Sequence, residues 1–404
     1  MASSVPSPRP DNSFESALAA SNFLIESRPS AQAFYDRGNL YGTTFDYRRT
    51  IADYSRAIEL DPAHADAYYD RGFAYAWTKV YDRAVSDLTK AIELKPCWTH
   101  AYYLRGDVYS FMGDHARAIA DFTKVIARTP AHAHAYFSRG TAQETQGNLD
   151  AALADYDSAL AINDDLAGAY YGRGNIHRER GQHELAIAEY TKAIACAPDA
   201  AHAYNSRGIV YDLLGDYERS IADYDTSIAL NPNEPSTFNN RGYAYELKGD
   251  VDRALPDYDK AIELDPDCTI GYINRGIAHF RQERYDVAIE DFTKAIENEA
   301  TAAKHAVAYV NRGHCWLMKR DTERAITDYS YSIALDPGDA GIYARRASAY
   351  EGKEDYARAI ADYNRAIAIK PQQPDLYVSR GVIYLRKIRL IRAAADFYRA
   401  FKLL

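Results

Sequence analysis

The sequence predicts an all-α solenoid of eleven tandem helical hairpins behind an N-terminal capping helix. Three observations carry this expectation. The dipeptide Arg-Gly stands at Arg37-Gly38 and recurs at 71, 105, 139, 173, 207, 241 and 275, each step being 34 residues. It returns at Arg312-Gly313 after 37 residues, then as Arg346-Ala347 and Arg380-Gly381. Sixteen residues after each Arg stands an acid: Asp53, Asp87, Asp121, Asp155, Glu189, Asp223, Asp257, Asp291, Asp328, Asp362 and Asp396. Each period also holds two apolar stripes at helical spacing with a break between them. Units of this kind pack on their neighbours, so 404 residues need no second core.

Taken in order, residues 1–12 are rich in Pro and Ser and predict a disordered tail. Residues 13–30 predict a capping helix, with Phe14, Leu18, Phe23 and Leu24 at rough helical spacing and Pro29 as its stop. Its place matches the second helix of a repeat that lacks its first. Repeats then start at 31, 65, 99, 133, 167, 201, 235, 269, 306, 340 and 374. In the second repeat, Tyr68 to Trp77 reads as one helix and Arg83 to Leu94 as another. The stripe of the latter is Ala84, Val85, Leu88, Ala91 and Ile92, and Pro96 ends it. The break is Gly113-Asp114, Gly147-Asn148, Gly215-Asp216 and Gly249-Asp250 in four repeats. Gly suits a helix C-cap and Asp or Asn the next N-cap.

The second repeat carries Tyr68, Gly72, Tyr75, Ala84, Leu88, Ala91 and Pro96, and the sixth carries Tyr204, Gly208, Tyr211, Ser220, Tyr224, Ser227 and Pro232. Over residues 31–404 this pattern resembles the tetratricopeptide repeat family, with Arg where that pattern usually has Leu. The resemblance implies a right-handed α-α superhelix whose concave face is lined by first helices. It also implies a protein-binding role. The family's carboxylate clamp is not expected, because Tyr35 and Tyr171 stand where Lys would accompany Asn39 and Asn175.

Two irregularities fall together. The eighth repeat carries three extra residues around Asn298–His305, and Pro256 lies inside the second helix of the seventh. Both predict a kink or a change of pitch near 250–310.

Composition narrows the function. The net charge of −9 argues against nucleic acid as a partner. From Asp375 onward five Arg and two Lys face two Asp, giving +5, so the rest carries −14. Cys97, Cys196, Cys268 and Cys315 are far apart, with no disulfide or zinc pattern. A reducing, cytoplasmic setting is the simple reading. No secretory signal and no membrane-spanning run of about 18 apolar residues is present. His100, His132, His134 and His202 lack companions at metal-site spacing. No nucleophile motif or phosphate loop appears, and the repeats fill the chain, so neither an enzyme nor a cofactor is expected.

Three constellations remain. An Arg ladder could hold anions, but one acid per Arg favours an ion pair that fixes hairpin register. The aromatics Tyr69, Phe73, Trp77, Tyr103, Phe111 and Phe137, with Asn240, Asn274, Asn311 and Arg345, are candidate partner-binding residues. The aromatics read either as core or as an exposed strip, and the amides as peptide-backbone ligands or as local caps. The apolar, basic C-terminal end offers Leu390, Ile391, Phe401, Leu403 and Leu404 for self-association into a homodimer. The preferred function is a scaffold or adaptor that takes a partner peptide or helix in its groove.

Overall fold

A computed structural model describes residues 12–298 and 301–403. The tail predicted for 1–12 lies outside the described residues, except that Asn12 begins the first helix. The chain divides into two compact units, Met1–Pro198 and Asp199–Leu404. Among the described residues there are 23 α-helices and no strand.

The first unit holds α1 (Asn12–Ser27), α2 (Ala31–Thr43), α3 (Tyr47–Leu60), α4 (Ala65–Trp77), α5 (Tyr81–Leu94), α6 (Thr99–Phe111), α7 (His115–Arg128), α8 (Ala133–Thr145), α9 (Leu149–Ile162), α10 (Ala167–Glu179) and α11 (His183–Cys196). The second holds α12 (Ala201–Leu213), α13 (Tyr217–Leu230), α14 (Pro235–Leu247), α15 (Val251–Leu264), α16 (Thr269–Arg281), α17 (Tyr285–Glu297), α18 (Ala302–Met318), α19 (Thr322–Leu335), α20 (Ala340–Gly352), α21 (Tyr356–Ile369), α22 (Pro374–Arg386) and α23 (Leu390–Leu403). In each unit an even-numbered helix pairs with the next odd one, and each hairpin stacks on its neighbours.

The turn inside every hairpin uses one device. A single residue takes a left-handed conformation between the two helices. Five are Gly, at 113, 147, 181, 215 and 249, and six are Phe45, Lys79, Glu283, Arg320, Glu354 and Ile388. Gly adopts this backbone without steric cost, whereas the other side chains are held there by the helices on both sides. The residue after it caps the second helix. Asp114, Asp216 and Asp250 accept the N–H of the third residue on, as the Gly-Asp pattern leads one to expect. Asn148 differs: its side-chain amide donates to Gln146 Oε1 at 3.4 Å and caps nothing.

Small residues set the helix spacing. A Cβ on Gly106 would lie 2.7 Å from the ring of Phe122 on the paired helix. Gly38, Gly140, Gly208 and Gly313 face the rings of Tyr54, Tyr156, Tyr224 and Tyr329 in the same way. In the tenth hairpin Ala347 stands at this position, fully buried in one cluster with Tyr363.

The irregular stretch keeps its helices continuous. Helix α15 runs unbroken across Pro256, with the same 14 residues as α13 and the usual Asp cap. Pro256 is exposed, so the carbonyl it leaves without a helical donor, that of exposed Asp252, can turn to water. The three extra residues enter helix, not loop. Helix α17 stops one residue early at Glu297, and α18 begins four residues early, running to 17 residues where other first helices have 13. Across the insertion Arg312 still reaches Thr293 on the preceding second helix, now 19 residues back instead of 16.

Candidate functional site

Every Arg of the Arg-Gly step lies on a first helix and grips the acid on its paired second helix. Arg105 Nε and Nη2 donate to the two carboxylate oxygens of Asp121 at 2.7 and 2.9 Å. Their side chains are 12% and 4% exposed. Burial pushes the Arg105 guanidinium down, but hydrogen bonding and charge from Asp121 outweigh it and hold the group above its ordinary value. The same bidentate fork joins Arg37 to Asp53, Arg71 to Asp87, Arg139 to Asp155, Arg241 to Asp257 and Arg346 to Asp362. Where the acid is Glu, the longer side chain loosens the fork: Arg173 Nε lies 3.2 Å from Glu189, outside hydrogen-bond geometry.

The remaining guanidinium nitrogen reaches backward into the preceding hairpin. Arg71 Nη1 donates to Ser55, Arg105 to Thr89, Arg139 to Thr123, Arg241 to Asp225, Arg346 to Ser330 and Arg380 to Asn364, all within 3.0 Å. Each acceptor stands two residues after an acid of the ladder. At the N-terminus Arg37 donates to Asn22 on α1 at 2.8 Å, so α1 occupies the place of a second helix. Within each unit the ladder therefore closes hairpins and ties them to the ones before. Even where the fork is loose the guanidinium has a second acid, for Arg173 Nη1 lies 3.0 Å from Asp157.

A second set of rungs joins the residue three before one Gly to the residue two before the next. Tyr35 hydroxyl donates to Asp70 at 2.6 Å, and Tyr103 and Ser138 hydroxyls pair at 3.2 Å. Asn240 amide donates to Asn205 at 3.1 Å and Asn274 to Asn239 at 3.0 Å. Asn240 and Asn274 thus bridge neighbouring hairpins with one N–H each. Asn311 donates to the carbonyl of Val307 one turn back, and Arg345 Nη1 meets His314 Nε2 at 2.6 Å. Burial, then the nearby Arg345 charge, push His314 down to about 4.

The six candidate aromatics separate into two groups. Tyr69, Tyr103 and Phe137 are half-buried. Tyr69 packs on Trp98 at 4.4 Å between ring centres, and Tyr103 on Phe122 and His132. Phe137 lies against Tyr156 and over Gly168 of the next hairpin. Phe73, Trp77 and Phe111 are exposed by 41%, 62% and 73%. They form contacts on the surface: Trp77 stacks with Tyr47, Phe73 meets Trp77 edge-on, and Phe111 stacks with Tyr81. Three adjoining cavities open along them. One of about 370 Å³ lies beside Phe45, Tyr47, Asp70, Phe73 and Trp77. One of about 380 Å³ lies among Phe73, Trp77, Tyr81, Asp107 and Phe111. One of about 300 Å³ runs from Asp107 and Phe111 to Phe137.

At the C-terminal end Leu390, Ile391 and Phe401 are exposed, as is Ile388 in the preceding turn, while Leu403 is half-buried. Leu404 lies outside the described residues. Arg386 pairs with Glu351 at 3.3 Å. His132 accepts the Ala135 N–H and caps α8, as His64 accepts the Ala67 N–H for α4. The cysteines are free thiols. Among the described residues no group of three His, Cys, Asp or Glu could hold a metal ion, and no helix is long and apolar enough to cross a membrane.

Stacked hairpins tied by ladders of side chains define a repeat scaffold of the protein-interaction kind. Family models described as tetratricopeptide repeat match residues 65–96, 103–167, 235–268 and 273–340. A model described as TPR repeat matches 46–76, 174–215, 211–249 and 352–387. The chain belongs to the tetratricopeptide repeat family. Among solved structures it is similar to the APC/C hetero-tetramer Cut9–Hcn1, at 14% identity and a TM-score of 0.50 over 96% of this chain and 93% of that one. It is also similar to a tetratricopeptide repeat protein from Parabacteroides merdae, at 24% identity and a TM-score of 0.48 over 59% of this chain and 93% of that one. Yeast Tom70 gives 18% identity and a TM-score of 0.44 over 93% and 92%. At these identities the likeness concerns the fold. A comparison with curated proteins returns no match.

Proposed function

We propose that this protein is a non-enzymatic scaffold whose first unit binds a segment of a partner protein along the strip of Phe73, Trp77 and Phe111. The supporting observation is the exposure of these three large rings beside adjoining cavities, next to aromatics of neighbouring sequence that are packed away. Rigid rings already in place gain apolar contact with little loss of side-chain freedom on binding. On the second unit Asn240, Asn274 and Asn311 would offer amide groups to a partner backbone, since each uses only one N–H within the fold. The test is affinity capture with wild type and with Trp77→Ala/Phe111→Ala. Partners are expected to be lost from the variant while its thermal unfolding stays close to wild type, because exposed side chains contribute little to stability. An unchanged set of partners would rule out the strip.

A second reading rests on the exposure of Ile388, Leu390, Ile391 and Phe401 beside basic side chains. We infer that this end joins two copies into a homodimer by covering that apolar surface. Light scattering of the full chain at high concentration is expected to give twice the 45.4 kDa mass, and Ile391→Asp/Phe401→Asp to give the monomer. A monomeric wild type excludes this reading and leaves the first untouched.

A further inference from the structure

The strip is not purely apolar. Asp107 lines both the cavity bounded by Phe73, Trp77, Tyr81 and Phe111 and the cavity that runs on to Phe137. It follows Gly106 on α6, where the fold brings it beside Leu104 and Val108. Among the described residues it has no ion-pair partner and no hydrogen bond, unlike every acid of the Arg ladder. Lys79 lines the rim of the same cavity without pairing with it, and His115 lines the next one. One repeat earlier Asp70 lines the cavity beside Phe73 and Trp77, held only by the Tyr35 hydroxyl. Burial pushes the Asp107 carboxyl up to about 7 and also raises that of Asp70, which the Tyr35 hydrogen bond partly offsets.

A carboxylate without a cation, walled by exposed ring faces, has a complement of definite chemistry. An aliphatic chain would cover the rings, and a positive end would meet both the ring faces and the carboxylate. A neutral apolar side chain would bury Asp107 further with nothing to balance it. An acidic side chain would add like charge at the same place. Outside the last repeat the chain carries −14, taking its total of −9 and the +5 of that repeat, which draws a basic segment toward it.

We propose that the Phe73–Trp77–Tyr81–Phe111 cavity, with Asp107 at its base, is a site for a lysine or arginine side chain of the partner segment. This rests on the reading of the strip as a partner-binding surface, and it adds the chemistry of the occupant. The aromatic rings take the stem and Asp107 takes the charge. Asp70 stands ready for a second basic residue one repeat away.

The experiment uses the full chain and three fluorescein-labelled twelve-residue probes, alternating Lys–Ser, norleucine–Ser and Glu–Ser, followed by fluorescence anisotropy at pH 8. The Lys–Ser probe is expected to bind tightest. Asp107→Asn, nearly the same shape, should weaken it by about tenfold, and Trp77→Ala by a comparable factor. Asp82→Asn removes the same charge from an exposed site on α5 and should change binding by less than about twofold. Circular dichroism of each variant checks that the helices remain. The proposal is overturned if norleucine–Ser binds as tightly as Lys–Ser, or if Asp107→Asn and Asp82→Asn weaken binding equally, which would mean diffuse attraction only. If partner capture fails with Trp77→Ala/Phe111→Ala while Lys–Ser binding ignores Asp107, the strip stands and its assigned occupant falls. If neither variant changes anything, both readings fall.

Discussion

Replacing Arg105 by Leu while Asp121 stays in place is expected to lower unfolding free energy by about 3–5 kcal/mol. The pair is the most enclosed of the ladder in its first unit, at 12% and 4% side-chain exposure. Removing the guanidinium strands a carboxylate that loses two charge-assisted hydrogen bonds and has little water to replace them. Lys124, 3.7 Å from Asp121 and half-exposed, recovers part of that loss. Arg105→Met/Asp121→Leu should cost far less than Arg105→Leu, because no charge is left buried. Thr89 loses a donor in both variants, but a helical Thr can turn its hydroxyl to the carbonyl four residues back, as Thr123 does toward Ile119. Arg173→Leu is the internal comparison and should cost less than Arg105→Leu, since its fork to Glu189 is already loose and Lys192 lies 3.0 Å from that carboxylate. Urea unfolding followed by circular dichroism checks all three, and a near-neutral Arg105→Leu would refute the burial of the pair.

The ladder also shows what the sequence makes legible. The sixteen-residue step from Arg to acid needs only a closed hairpin, and closure follows from helix, turn and helix within one period. The backward arm to Ser55, Thr89 or Asp225 joins different periods and depends on how hairpins stack. Its trace is nonetheless present: residues 55, 89, 123, 157, 191, 225, 259, 293, 330 and 364 are all Ser, Thr, Asp or Asn, whereas Tyr398 takes that place in the last repeat. The aromatics separate for a geometric reason. Each helical residue turns by about 100°. Tyr69 and Tyr103 stand three before the Gly that touches the paired helix, only about 60° from that contact direction. Phe73 stands one after it, about 100° away, and Trp77 and Phe111 five after it, about 140° away. The last three therefore face outward, although composition treats all the rings alike. The cost of Pro256 depends on whether the carbonyl it deprives faces water, which a linear reading does not reveal.

Asp107→Asn is expected to stabilise the free protein, and to do so only above mildly acidic pH. The carboxyl ordinarily titrates near 3.8, and burial raises it to about 7 in the folded chain. A raised carboxyl penalises the charged form of the fold. Below the unfolded value both states are protonated and the penalty is absent. It grows as pH rises from about 4 and is complete above about 7. Some three pH units at about 1.4 kcal/mol each set an upper bound of about 4 kcal/mol. The groups facing Asp107 are Lys79 and Tyr81 from the preceding hairpin, Tyr103 on its own helix and His115 on the paired helix, and none bonds to it among the described residues. The Asn variant, unable to ionise, should match wild type near pH 4 and exceed it by up to that amount at pH 8. Unfolding midpoints measured at both values check the sign. A variant equally or less stable at pH 8 would mean that the carboxylate finds a counter-charge within the fold. A positive result fixes Asp107 as an ion held at a cost in the free scaffold, and a bound cation is then the condition under which that cost is relieved. In saturating Lys–Ser probe the gap between variant and wild type at pH 8 should narrow, because the ligand binds, and so stabilises, the chain that ionises there more strongly than the variant.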